Sequence, residues 1–299
     1  MQFACIHAHT FFCDGKDDVE SFCQAAYKKG FKSLGFSAHA PVTKKTGLTT
    51  VWHLRDDRLQ EYLDCVNAAK KRWEEKLTVY LGLEVDFIDG LMGPADRDYR
   101  EMGLDYIIAS VHYVVPAKGE PFTIDDTEEI VNHGIEEGYG GDLMGMAEAY
   151  LKAEADMIRG GGFDVLGHAD LIKVNSAFSK KLHSGEADFY RKKIAELAGL
   201  MAATPPDENG WDAGGRVVEV NTGGINRGRI KECYPSLEFL RLFREHGVSA
   251  VINSDAHMAE HLDGHYEKAK ETLIAAGYTE TVLFNGRIKG KAVWETQQL

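Results

Sequence analysis

Short β-rich runs alternating with longer amphipathic helices predict an α/β chain folded as a parallel (β/α) barrel, one unit short of the usual eight. Three observations carry this expectation. Seven strand–helix units follow one another along the 299 residues, and repeated units of this kind imply parallel strands joined by crossover helices. No GxGxxG or GxxxxGKS/T loop follows the first strand, so an open nucleotide-binding sheet has no support. No low-complexity linker or internal repeat divides the chain, so one domain over residues 1–299 is expected.

Strands are expected at Phe3–Ala8, Ser33–Ala38, Thr78–Val85, Asp105–Val111, Phe163–Gly167, Val217–Asn221 and Ser249–Asn253, with Thr281–Phe284 as a further one at the end. Between them, Asp17–Lys29 has apolar residues near 3.6 spacing and stops at Gly30, a suitable C-cap. Arg55–Lys76 is long, charged and amphipathic, and Gly141–Arg159 runs into three glycines. Ala187–Ala203 stops before two prolines, Ser236–His246 can start on Ser236 as its N-cap, and His265–Ala276 ends at Gly277. Pro41–Leu54, Pro116–Thr127 and Thr204–Gly215 read as loops, the first two at the active face.

Bulk properties narrow the function. The formal charge is −13 without a basic run, which argues against a nucleic-acid partner. An acidic protein that binds an anion needs a local source of positive charge, and a metal cluster is one. Five cysteines, an odd number with no CxxC pair, disfavour a disulfide framework or a cysteine zinc site. No secretory signal or membrane span is apparent, so a soluble protein of a reducing cytoplasm is expected. Oligomeric state is not legible.

The chemistry sits at the strand ends. His7 and His9 close the first strand, and residues two apart on a strand share a face. Asp14 follows in a turn. The second strand runs out at His39, the third carries Glu84, the fourth leads to His112 and the fifth to His168. The seventh leads to Asp255 and His257. Taken singly, each is an ordinary polar residue. Together, six of seven strands deliver a histidine or carboxylate to the face where barrel active sites form. Nine donors are too many for one ion, so two or three divalent ions, zinc, manganese or iron, are expected, with a carboxylate bridging a pair.

The order HxH, SAH, LEVDF, SVH, GH and SDAH resembles the PHP (polymerase and histidinol phosphatase) family, over nearly the whole chain. Within the family, SVHYVVPAKGEPFTIDDT and VVEVNTGGINRG look like segments of stand-alone histidinol phosphatases. The resemblance implies a distorted (β/α)7 TIM-like barrel with a trinuclear site. It implies that His7, His9, Glu84 and Asp255 hold one ion, that Glu84, His112 and His168 hold a second, and that Asp14, His39 and His257 hold a third. It further implies a metal-dependent phosphomonoesterase whose substrate is L-histidinol phosphate, with Glu84 and Asp255 at the reacting centre and a hydroxide bridging the ions as nucleophile. Arg227, after the sixth strand, could hold phosphate with a bidentate fork, or be a solvated loop arginine. Lys173 supplies charge without that fork, and Asn221 ends a strand free of metal ligands, where substrate contacts fit. The other histidines, His53 among them, have no strand-end placement and are expected at the surface or in packing. Two alternatives stay open: another small phosphate ester or nucleotide as substrate, or a metal-binding regulatory module without catalysis.

Overall fold

The computed structural model of the chain describes residues 2–96, 99, 101–183, 187–203 and 216–299. Among these, seven parallel strands curl into a nearly closed barrel with helices between them, in the sheet order β1-β2-β3-β4-β7-β8-β9. They are β1 (Phe3–Cys5), β2 (Phe31–His39), β3 (Thr78–Asp86), β4 (Tyr106–Ser110), β7 (Val165–Leu166), β8 (Val217–Asn221) and β9 (Ala250–Asn253). The gap between β9 and β1 is bridged beyond the end of β1. There the His9 N–H donates to the Ala256 carbonyl at 2.9 Å, and the Ile6 N–H donates to the Asn253 side-chain oxygen at 2.9 Å.

The crossover helices are α1 (Val19–Lys28), α2 (Leu59–Trp73), α3 (Glu128–Tyr139), α4 (Leu143–Gly160), α5 (Ser176–His183), α6 (Ala187–Ala203), α7 (Leu237–Glu245) and α8 (Tyr266–Ala276). Asp18 caps α1 by accepting from the Ser21 N–H. Ser236 occupies the N-cap position of α7, but its side chain makes no cap bond. Helix α3 was not expected from the sequence. Its two glycines and acidic faces blur the apolar period, and it is started by Thr127 accepting from the Ile130 N–H. The expected loop Pro116–Thr127 contains β6 (Phe122–Thr123), which pairs with β5 (Tyr113–Val114). The expected loop Thr204–Gly215 lies outside the described residues.

The segment expected at Thr281–Phe284 extends to β10 (Glu280–Ile288) and pairs antiparallel with β11 (Lys291–Gln298), outside the barrel. Val282, Phe284 and Ala292 of this hairpin pack against Ile6, Tyr80, Tyr106, Ile108, Val165, Val217 and Val251. The intervening residues Leu81, Leu83, Ile107, Ala109, Leu166, Val218 and Ile252 belong to the larger core that includes the helices. Alternate side chains of a strand face opposite sides, so the first set lines the barrel interior and the hairpin closes its lower mouth. Tyr106 fills the interior because Gly35 and Gly82 leave room for it: a Cβ at either would come within 2.5 and 2.4 Å of its side chain.

The inward positions then change character along each strand. On β3 they run Tyr80, Gly82, Glu84, Asp86, and on β8 they run Val217, Glu219, Asn221. The lower barrel is apolar, and the carboxyl end is polar.

One buried acid lies away from that end. Glu154 of α4 is fully buried; one oxygen accepts from the Tyr150 hydroxyl at 2.8 Å, and the other has no hydrogen-bond partner among the described residues. Burial, reinforced by Asp170, pushes its pKa from 4.5 up to about 8. The folded chain therefore keeps a proton that the unfolded chain releases. That contribution is favourable at low pH and is lost as pH rises from about 4.5 to 8. Glu154→Gln is expected to remove this decline. Urea unfolding should show the variant gaining on the wild type between pH 5 and pH 8, by on the order of 3 kcal/mol. Parallel pH profiles for the two proteins would contradict it.

Candidate metal centre

The polar upper ends of the strands converge. His7 and His9 lie just past β1, His39 ends β2, Glu84 is near the end of β3, and His112 and His168 lie two residues past β4 and β7. Asp255 and His257 follow β9. The turn carrying Asp14 is folded tightly back, since a Cβ on Gly15 would sit 2.1 Å from the His9 carbonyl oxygen. This close approach brings Asp14 over the strand ends.

Glu84 is the hub. Its Oε2 lies 3.2 Å from His7 Nε2, 3.4 Å from His9 Nε2 and 3.0 Å from His39 Nδ1. Its Oε1 lies 2.9 Å from His168 Nε2 and 3.9 Å from His112 Nε2, and accepts from the Ser110 hydroxyl at 2.6 Å. Asp255 Oδ1 lies 3.3 Å from His9 Nε2 and 3.6 Å from His257 Nδ1, and His257 Nε2 meets Asp14 at 2.9 Å. All nine predicted donors are thus brought into one connected cluster.

Three of the groupings with ligand atoms within 4.8 Å of one another are His7–Glu84–His168, His7–His9–Asp255 and His9–Asp14–His39–His257. A fourth, His39–Asp86–His112, adds a carboxylate that the sequence reading did not single out. Asp14, His39 and His257 stand together as the resemblance implies, with His9 joining both them and the His7–Asp255 group, whereas His112, expected with Glu84 and His168, groups with His39 and Asp86. Divalent ions fit this donor set. His7 Nε2, His9 Nε2, His39 Nδ1 and Glu84 Oε2 are buried, face one another, and make no hydrogen bond among the described residues. Imidazole nitrogens gathered on carboxylate oxygens are ligands for zinc, manganese or iron.

The electrostatics are those of buried, opposed groups. Burial disfavours protonation of His7, yet Glu219, Glu84 and Asp255 outweigh it and hold its pKa well above 6.5. Burial pushes His9 down to about 3, helped by His39 and His257. Burial opposes ionisation of Glu84, but His7 and His39 hold its pKa well below the usual range. For His112, burial is overcome mainly by Asp86, with Glu84 and Asp125 adding, and its pKa rises to about 10.

Two buried carboxylates hold the ligands from behind. Glu219 Oε2 accepts from His7 Nδ1 at 2.8 Å and from Asn253 Nδ2 at 3.0 Å. Its Oε1 accepts from the His168 N–H and Asn221 Nδ2, both at 2.8 Å. Asp86 Oδ1 meets His112 Nδ1 at 2.7 Å, and its Oδ2 meets His53 Nε2 at 2.9 Å. These contacts leave Nε2 of His7 and His112 turned toward Glu84, the arrangement by which carboxylates orient metal-binding imidazoles. His53 is therefore more than a packing residue. A loop carries it to the back of Asp86, where Thr50 bonds its other nitrogen at 2.7 Å.

The predicted substrate contacts divide. Arg227 lines a cavity of about 250 Å³ with His39, Glu84, His112, His168 and Asp255. Its guanidinium bonds Asp255 Oδ2 at 3.0 Å and His257 Nδ1 at 3.0 Å. Asn221 does not face the cavity. It is fully buried, with its NH2 on Glu219 and Asp255 and its oxygen on the Gly223 N–H. Lys173 is also turned away, by the tight turn Leu171–Val174. It lies 3.2 Å from Glu232 and 3.4 Å from Asp170, over the Tyr234 ring, and lines a neighbouring cavity. Arg229, Asp125 and Asp126, which the sequence reading did not single out, line the first cavity instead.

Known proteins resemble this chain over most of its length. The family described as PHP domain matches residues 6–204. A Deinococcus radiodurans protein named "Probable histidinol-phosphatase" is 27% identical over 277 residues, 92% of this chain and 94% of that protein. The crystal structure of hisK from Listeria monocytogenes superposes with a TM-score of 0.73 at 23% identity, covering 89% of this chain and 99% of that one. A second structure, histidinol phosphate phosphatase from Lactococcus lactis complexed with zinc, L-histidinol and phosphate, gives a TM-score of 0.62 at 19% identity, covering 97% and 98%.

Proposed function

The chain belongs to the PHP domain family, and from that premise we propose that it is a metal-dependent phosphomonoesterase hydrolysing L-histidinol phosphate. The observation that carries the reading is the cluster of nine donors around Glu84 at the floor of an open cavity. The names of the relatives support the substrate, and the zinc, L-histidinol and phosphate in the Lactococcus lactis structure support both substrate and metal. His7, His9 and Asp255, then Glu84, His112 and His168, then Asp14, His39 and His257 would hold two or three divalent ions. Such ions supply Lewis acidity, which neutralises phosphoryl oxygens and acidifies water near neutral pH.

The chain's own residues do the rest. Glu84 and Asp255 keep their charge at working pH and hold the cluster together. Glu219 and Asp86 fix the His7 and His112 rings. Arg227, a third exposed, would offer its fork to phosphate where Asp255 served as a metal ligand. Attack by water on the phosphorus, without a phospho-enzyme, is the reaction this donor cluster suits, the cavity's other carboxylates, Asp125 and Asp126, lying in the turn after β6.

Activity on a panel of phosphate esters tests the reading. L-histidinol phosphate should give the highest kcat/KM, and chelation should remove activity reversibly. A nucleoside phosphate giving the higher kcat/KM would overturn the substrate while sparing the metal chemistry. Arg227→Ala should lower kcat/KM by roughly ten- to a hundredfold at unchanged metal content, and Arg227→Lys should recover part. A kcat/KM equal to wild type would make this arginine a partner of Asp255 alone.

A further inference from the structure

The cavity has two chemically distinct parts. One is the metal centre, where buried His39 Nδ1 and Glu84 Oε2 are left without hydrogen bonds among the described residues and Arg227 adds positive charge. The other is built from the end of β6 and the turn after it, with Thr123, Asp125 and Asp126, and from Arg229 beyond β8. A phosphate belongs in the first part. The second is where the remainder of a substrate must lie.

The two aspartates there are not equivalent. Asp126 is committed to the turn, accepting from the Thr127 N–H at 2.7 Å and from the Thr123 hydroxyl at 3.3 Å. The Asp125 carboxylate accepts no hydrogen bond among the described residues; Arg229 Nη1 stands 3.7 Å from it, too far to donate. Its side chain is 26% exposed. Arg229 Nη2 instead donates to the Asp125 backbone carbonyl, so the turn is tied to the segment after β8 and Asp125 is held in place. Asp125 also lies near enough to His112 and Arg227 for its charge to act on both.

A fixed carboxylate with acceptor capacity to spare, beside a site for a phosphate, selects a ligand with a cation at its other end. Resting on the phosphatase reading above, we propose that Asp125 receives the ammonium group of the substrate and makes the enzyme selective for phosphomonoesters that carry a protonated amine. A charge-assisted bond forms with the amine, whereas a neutral tail gains nothing and an anionic tail is repelled.

The test compares L-histidinol phosphate with its analogue lacking the amine, on the metal-loaded wild type, Asp125→Asn and Asp125→Glu, with metal content measured in each. The wild type should prefer the amine-bearing ester by about tenfold or more in kcat/KM. Asp125→Asn should bring that preference close to unity, chiefly through KM, and Asp125→Glu should keep part of it. A preference in Asp125→Asn equal to that of the wild type, or equal losses on the two esters, would overturn the assignment and leave the phosphatase reading standing. Failure of the wild type to cleave either ester would overturn both.

Discussion

Glu84→Gln is expected to lower kcat roughly a thousandfold or more and to strip the protein of bound ions. No other side chain among the described residues faces so many of the donors. Both its oxygens are used, Oε2 facing His7, His9 and His39, and Oε1 facing His168, His112 and Ser110. An amide keeps the shape but turns one of these oxygens into a donor, which can neither bridge two ions nor face imidazole nitrogens that are themselves turned toward a ligand. The charge matters as much. Glu84 is one of the groups holding His7 and His39 at raised pKa. Metal analysis beside kcat checks the prediction: a variant with full metal content and more than a tenth of wild-type turnover would show that Glu84 does not bridge.

Glu219→Gln is expected to weaken metal binding about ten- to a hundredfold and to destabilise the fold by about 3 kcal/mol, although Glu219 is not one of the nine expected donors. Its carboxylate receives four donors, from His7, Asn253, His168 and Asn221. Whichever way an amide sits, two of those donors lose their acceptor inside a fully buried site. His7 then loses the partner that turns its Nε2 toward Glu84. Competition with a chromophoric chelator reads the first effect and urea unfolding the second. Metal affinity within twofold of wild type would show that His7 is positioned by packing alone.

The two cases illustrate what the sequence discloses. Eight of the nine donors could be read because each is a histidine or carboxylate at or just past the end of a β-rich run, and parallel strands send those ends to one face; Asp14 follows the first of them in a turn. Glu219 and Asp86 were missed because they sit among ligand-free or already assigned stretches. Yet both occupy the inward parity that Val217 and Tyr80 begin, so the two-residue period carried the signal. Lys173 and Asn221 were misplaced for a different reason. Their distance from a strand end says that they are near the site, while a tight turn and a buried amide network decide which way they point. His53, Arg229 and Asp125 reach the site on loops, whose paths depend on tertiary contacts such as the Arg229 bond to the Asp125 carbonyl. Helix α3 escaped because its glycines and acidic residues obscure the apolar period. The final hairpin announced itself as one strand but not as a plug, since its pairing partner and the barrel mouth it fills are set by Phe284 meeting Tyr80 and Tyr106.

Nine donor side chains gathered in one cluster call for several ions. The most direct test is the metal-to-protein ratio of chain purified without chelator and reconstituted with zinc or manganese, measured by elemental analysis after removal of loosely bound metal. Two to three ions per chain are expected, falling together with phosphatase activity when a chelator is added. A ratio of one or none, with activity intact, would contradict this.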